Sequence, residues 1–147
     1  MANGEFRDPT NILDYIYDLE SSRGTDPKRL VPNEEGALGS YQIRPGAFSD
    51  IQKNYKSKWA DKDFETVALD DTQAREAAND YLKVIAQHYI NQGLAPTFDA
   101  LLAGYHGGMG TVAGVKAKNQ APRTVGPKTG DYLNKAHRLR ALMTGGK

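Results

Sequence analysis

Glu20 is the residue in this 147-residue chain best placed for acid chemistry. Ile12, Leu13, Ile16 and Leu19 recur with helical spacing and form one apolar stripe. Ile12, Ile16 and Glu20 step along that helix four residues at a time, so a carboxyl sits where the apolar face would continue. A carboxyl held against apolar neighbours ionises less readily and its pKa rises. Such a group can keep a proton near neutrality and deliver it to a leaving group, the task of a general acid in glycoside cleavage. On position alone, a solvated helix-end acid is the commoner fate of a glutamate. Gly24 is placed to stop this helix, which is expected from about Asn11 to Ser22, with Thr10 as N-cap and Asp14 in its first turns.

The elements that must position Glu20 follow in order. Residues 1–9 read as a loose polar arm. From Arg23 to Glu35 no periodicity is visible, and Asp26-Pro27, Val31-Pro32 and Asn33 are loop signals. Gly36 to Ile43 holds two glycines and an alternation ending in Tyr41 and Ile43, which predicts a short extended piece or tight turn, at most one small β-hairpin. Pro45 suits the first turn of a second helix, with Phe48, Ile51 and Tyr55 at helical spacing and Trp59 closing a small apolar cluster. Asp70-Asp71-Thr72-Gln73 resembles a capping box and opens the clearest helix, faced by Ala74, Ala77, Ala78, Tyr81, Leu82, Ile85 and Tyr89 and ended by Gly93. Pro96 and Thr97 open a shorter helix carrying Phe98, Leu101, Leu102 and Tyr105. Gly107, Gly108 and Gly110 break it and let the backbone approach something closely. Residues 112–115 resume a helix, 119–130 read as loop, and a last helix from about Asp131 to Met143 presents Tyr132, Ala136, Leu139 and Met143. Residues 144–147 form a frayed tail. The expectation is a mainly α fold, one domain over residues 10–143.

Composition limits the chemistry. A 39% hydrophobic content supports one core, and a net charge of +1 gives no electrostatic hold on nucleic acid. Lysines and arginines thicken toward the C-terminal end, a tilt that suits an anionic wall polymer or merely a solvated surface. The chain has no cysteine, which excludes disulfides and thiolate chemistry. His88, His106 and His137 have no zinc-ligand spacing, so no metal and no cofactor are expected. No apolar run approaches a membrane span, so no membrane insertion is expected. The first residues lack the layout of a signal peptide.

The ordered set Glu20-Ser21, then Gly-x-x-Gly-x-x-Gln-Ile over residues 36–43, then Ala-Gly-Tyr-His-Gly-Gly over residues 103–108, resembles the soluble lytic transglycosylase and goose-type lysozyme group. The likeness covers about Ile12 to Leu142. It implies a lysozyme-like helical domain acting on the β-1,4 bond between N-acetylmuramic acid and N-acetylglucosamine in peptidoglycan glycan strands. By this resemblance Glu20 is the general acid and base, and the sugar's own C6 hydroxyl closes a 1,6-anhydro ring. A substrate-lining role passes to Gln42, whose amide offers donor and acceptor together. Gly39 matches a family glycine that permits the tight turn. Tyr41 stands where the family often has Met, and His106 where it usually has Asn. Tyr105 matches the family tyrosine before that position, and Tyr132 the tyrosine that points toward the catalytic Glu. Ser21 either steadies the Glu20 carboxyl or bonds back to the helix end. Residue by residue, structural roles remain open: a loop-tying amide for Gln42, core packing for Tyr105, helix-start packing for Tyr132.

Asp26, Glu34 and Glu35 lie in the loop after Glu20, where the resemblance allows one of them to serve as a partner acid, as in some goose-type enzymes; they read better as solvated acids, which favours a single-acid mechanism over the paired carboxylates of ordinary glycosidases. The alternatives are a hydrolysing lysozyme of the same fold, an enzyme cutting another wall bond, and a non-catalytic peptidoglycan-binding or virion structural module. A wall-degrading enzyme without a signal peptide suggests a bacteriophage component, held in the virion or host cytoplasm before reaching the periplasmic wall, with other virion proteins as further partners.

Overall fold

The computed structural model describes residues 12–22 and 24–108. The expected N-terminal arm, the Thr10 cap, Tyr132 with its helix, and everything else expected after Gly108 lie outside the described residues. Within them the chain is mainly helical, as the periodicities predict: six α-helices and one 3-10 turn, with no sheet among the described residues.

Helix α1 spans Ile12–Ser21 and buries Leu13, Tyr15 and Ile16. Ile12 and Leu19 are only partly buried against the core, while Tyr15 joins the face and meets Phe98 edge-on with ring centroids 5.4 Å apart. The expected stop at Gly24 needs correction. Ser22 already turns left-handed at φ 50°, and the Ser21 carbonyl then accepts the amides of Thr25 and Asp26, both at 3.1 Å. These bonds satisfy a carbonyl that the ending helix leaves without a partner. Part of the expected loop is ordered as a 3-10 turn, Pro27–Leu30, capped by Asp26, whose carboxylate accepts from the Lys28 amide at 2.9 Å.

Residues 36–43 form no strand, only an isolated antiparallel bridge in which Leu38 and Ile43 exchange both backbone hydrogen bonds. Gly39 makes this turn possible. Its φ is 84°, and a Cβ there would overlap the carbonyl of Ala68, so only glycine admits that approach. Tyr41 and Ile43 point into the core while Gln42 and Arg44 stay partly exposed.

Helix α2 (Pro45–Asn54) starts with proline in its first turn, where the missing N–H costs nothing. It buries Ala47, Phe48 and Ile51; Tyr55 caps its end instead of continuing its face. Two short helices went unforeseen: α3 (Lys56–Trp59) and α4 (Phe64–Leu69), the latter capped by Asp63, whose carboxylate accepts from the Thr66 amide at 3.0 Å. Trp59 is buried against Phe48 and donates from Nε1 to the buried Asp80 carboxylate at 2.7 Å. Helix α5 (Asp71–Asn91) is the central member and packs against α1, α2, α4 and α6. Asp70 caps it by accepting from the Gln73 amide at 2.9 Å. Helix α6 (Phe98–Gly107) is capped by Thr97 and buries Leu102, Ala103, Gly104 and Tyr105; Leu101 is only half-buried. No described helix is long and apolar enough to cross a membrane.

Candidate active site

Three separate stretches converge on one groove that opens to solvent. Glu20 reaches it from the last turn of α1. Asn33, Glu35, Ala37, Gln42 and Arg44 supply the middle segment. Tyr105 and His106 close it from the last turn of α6. Glu20 is half-buried, consistent with a position where the apolar stripe of α1 runs out.

The walls are tied together by buried hydrogen bonds. The Tyr105 hydroxyl donates to the Tyr41 carbonyl at 2.6 Å, and an Arg44 guanidinium nitrogen donates to the Tyr105 carbonyl at 2.8 Å. Gln42 adopts a left-handed φ of 47°, and both its backbone amide and its side-chain Nε2 donate to the Gly39 carbonyl, at 3.0 and 2.9 Å. That second bond fixes the orientation of the carboxamide. The Tyr105 phenol is pushed well above its ordinary pKa, first by burial and next by the negative charge of Glu20. It therefore stays a neutral donor throughout the neutral range.

Of the sequence-predicted site residues, the structure brings Glu20, Gln42, Tyr105 and His106 to the groove. Ser21, Gly39 and Tyr41 stand behind it. The Ser21 side chain is buried; its hydroxyl donates to the Tyr17 carbonyl at 3.1 Å and accepts from the Gly24 amide at 2.8 Å. That is the helix-end bond. Tyr41 is buried, stacked on Tyr17 at 5.3 Å, and its hydroxyl accepts from Arg75 Nη1 at 3.2 Å. Gly39 acts through its backbone. Tyr132 lies outside the described residues.

Sequence reasoning missed Asn33 and Arg44 at the groove, and preferred a solvated role for Glu35, one of three acids it weighed as a partner for Glu20. Asp26 is a cap, as described; Glu34 and Glu35 are both exposed, and Glu34 does not line the groove. Glu35 does line it, because the Asn33 carboxamide oxygen accepts from the amides of Glu35 and Ala37 at 2.8 and 2.9 Å and curls the loop around them. An asparagine two residues before the acid was the available signal. For Arg44 the signal was the alternation that buries Tyr41 and Ile43 and leaves residues 42 and 44 on the other side.

Comparison with family models, with curated proteins and with solved structures finds no match. The groove has to be understood from its own residues. It combines two carboxyl groups, two carboxamides that are each hydrogen-bonded to the backbone, a guanidinium and an imidazole, with the Tyr105 ring behind them. Those groups suit a polar, uncharged or weakly charged ligand rich in hydroxyl and amide functions. Among the described residues, no group of three or more His, Cys, Asp or Glu side chains is arranged to hold a metal ion.

Proposed function

We propose that the protein cleaves the glycan strands of peptidoglycan at the β-1,4 bond between N-acetylmuramic acid and N-acetylglucosamine, as a lytic transglycosylase with Glu20 as acid and base. One observation carries the reading. Glu20, Gln42, Tyr105 and His106, singled out by their likeness to lytic transglycosylase motifs from three distant stretches, line a single groove. Glu20 would protonate the bridging oxygen as the glycosidic bond breaks, then take the C6 hydroxyl proton as that oxygen closes the anhydro ring. The Gln42 carboxamide, already oriented by Gly39, would hold a sugar hydroxyl or N-acetyl group against the acid.

Glu20→Gln keeps the shape of the side chain and removes the proton. Turnover on purified walls should fall by roughly 10²–10⁴-fold, the usual weight of a general acid. Clearance by the Gln variant at the parent's rate would end the assignment.

A second reading, hydrolysis by a lysozyme, is favoured by Glu35, a second carboxylate in the same groove that could direct a water. Mass spectrometry of the released muropeptides separates the two. Anhydro ends with Glu35→Gln near parental rate support the transglycosylase. Reducing ends with Glu35→Gln impaired support the hydrolase.

A further inference from the structure

We infer that Arg44 is a positioning residue of the groove, a clamp that holds the wall carrying Gln42 against the end of helix α6 that carries His106. The inference rests on the groove being the working site, but the clamp itself is an observation of geometry. Arg44 and Tyr105 cross-link the two walls reciprocally. Each side chain bonds the other wall's backbone: Arg44 Nη2 to the Tyr105 carbonyl at 2.8 Å, and the Tyr105 hydroxyl to the Tyr41 carbonyl at 2.6 Å. Gln42 lies between the two pinned positions, in a left-handed conformation that a non-glycine residue holds only under constraint.

The guanidinium also follows the helix beyond Tyr105. A Cβ on Gly108 would come within 3.7 Å of Arg44 Nη2, so the cation lies along the final turn of α6. Carbonyls there lack intrahelical donors and carry the negative end of the helix dipole, which favours a cation at that place. Arg44 further lines an apolar crevice together with Ala77, Ala78 and Tyr81. Its planar head is thus shared between the core, the helix end and the groove, a role for which a lysine's point charge is a partial substitute.

The test uses the full chain with Arg44→Gln, Arg44→Lys and Glu20→Gln beside the parent. Two readouts are taken: amide hydrogen exchange at His106, Gly107 and Gly108, and kcat and KM on purified peptidoglycan. The clamp requires roughly tenfold faster exchange at those amides in Arg44→Gln, with the amides of α5 unchanged. It also requires a kcat reduced roughly tenfold with KM within about threefold, and substantial recovery of both readouts in Arg44→Lys. Parental exchange in Arg44→Gln overturns the inference. So does faster exchange with undiminished kcat, which would make the bond a stability contact only. If the parent and Glu20→Gln prove equally inactive, the proposed function fails, and the exchange rates alone decide whether Arg44 clamps the two walls.

Discussion

Three glycine-to-alanine substitutions separate backbone strain from steric overlap and test whether the turn before Gln42 is as tightly fitted as it looks. Gly46, in the first turn of α2, has an ordinary φ and open space where a Cβ would go. Gly93 has a φ of 75° and equally open space. Gly39 has a φ of 84°, and its added Cβ would overlap the carbonyl of Ala68 in α4. That obstacle is backbone, in a fully buried residue, so no side-chain rotation relieves it. Gly46→Ala should stabilise by about 0.5–1 kcal/mol, because alanine restricts the unfolded chain and suits a helix. Gly93→Ala adds a left-handed penalty of about 1–2 kcal/mol, partly offset by the same gain, for a net loss of about 1 kcal/mol. Gly39→Ala adds an overpacking cost of about 1–3 kcal/mol to the left-handed penalty, for a net loss of about 1–4 kcal/mol once the same unfolded-chain gain is taken off. Urea unfolding with unchanged m-values measures all three. A Gly39→Ala loss no larger than that of Gly93→Ala would refute the close approach of the turn to α4. Because the Gly39 carbonyl anchors Gln42 twice, the proposed function requires the variant to lose activity on purified peptidoglycan at temperatures where it remains folded.

Tyr105→Phe leaves the Tyr41 carbonyl without its buried donor and should cost about 1–3 kcal/mol at neutral pH in urea titration. Burial raises the phenol pKa values of Tyr41, Tyr81, Tyr89 and Tyr105. Above about pH 10 the unfolded chain releases phenolic protons that the folded chain keeps, so stability falls as pH rises, by about 1.4 kcal/mol per pH unit for each such proton. Tyr105→Phe should flatten that alkaline slope by close to one proton; an unchanged slope between pH 10 and 11 would contradict the burial of this phenol. Asp80→Ala removes the acceptor of the buried Trp59 indole N–H and the partner of Lys58 at 3.0 Å. A loss of about 1–3 kcal/mol is expected, with a red shift in the fluorescence of the chain's single tryptophan.

The helices that sequence made legible, α1, α2, α5 and α6, are those with a repeated apolar face, with a proline in the first turn of α2 and a capping side chain before α5 and α6. Asp70 and Thr97 accept the amides their positions predict. Helices α3 and α4 are too short for periodicity to register, and they form because Trp59, Val67 and Ala68 bury themselves against partners far along the chain. Ser22 ended α1 before Gly24 could, since two amides downstream reward the turn. At the groove, residue types at motif spacing identified Glu20, Gln42 and His106. Glu35 is one of three candidate acids in that loop; all three read as solvated, and the turn set by the Asn33 carboxamide decides that Glu35, still exposed, lines the groove. Ser21 and Tyr41 illustrate the converse. Both are expected from the sequence to line the substrate site; their hydroxyls are engaged behind the groove, Ser21 in the helix-end bond that is one of its two expected roles and Tyr41 with Arg75.

Tyr105 explains why the core and the groove cannot be varied independently. Its ring packs edge-on against Tyr81 at 5.9 Å and belongs to the main core, while its hydroxyl and carbonyl hold the segment on which Gln42 sits. A ligand pressing on the Gln42 wall therefore pushes against α6 through two hydrogen bonds and, through the Tyr105 ring, against Tyr81 of α5. The Gln42 carboxamide keeps its Oε1 and one N–H beyond the bond to Gly39, a donor and an acceptor at a fixed angle. Such a pair matches the complementary pair of an N-acetyl amide, and it is held on a rigid support, as precise positioning beside an acid requires.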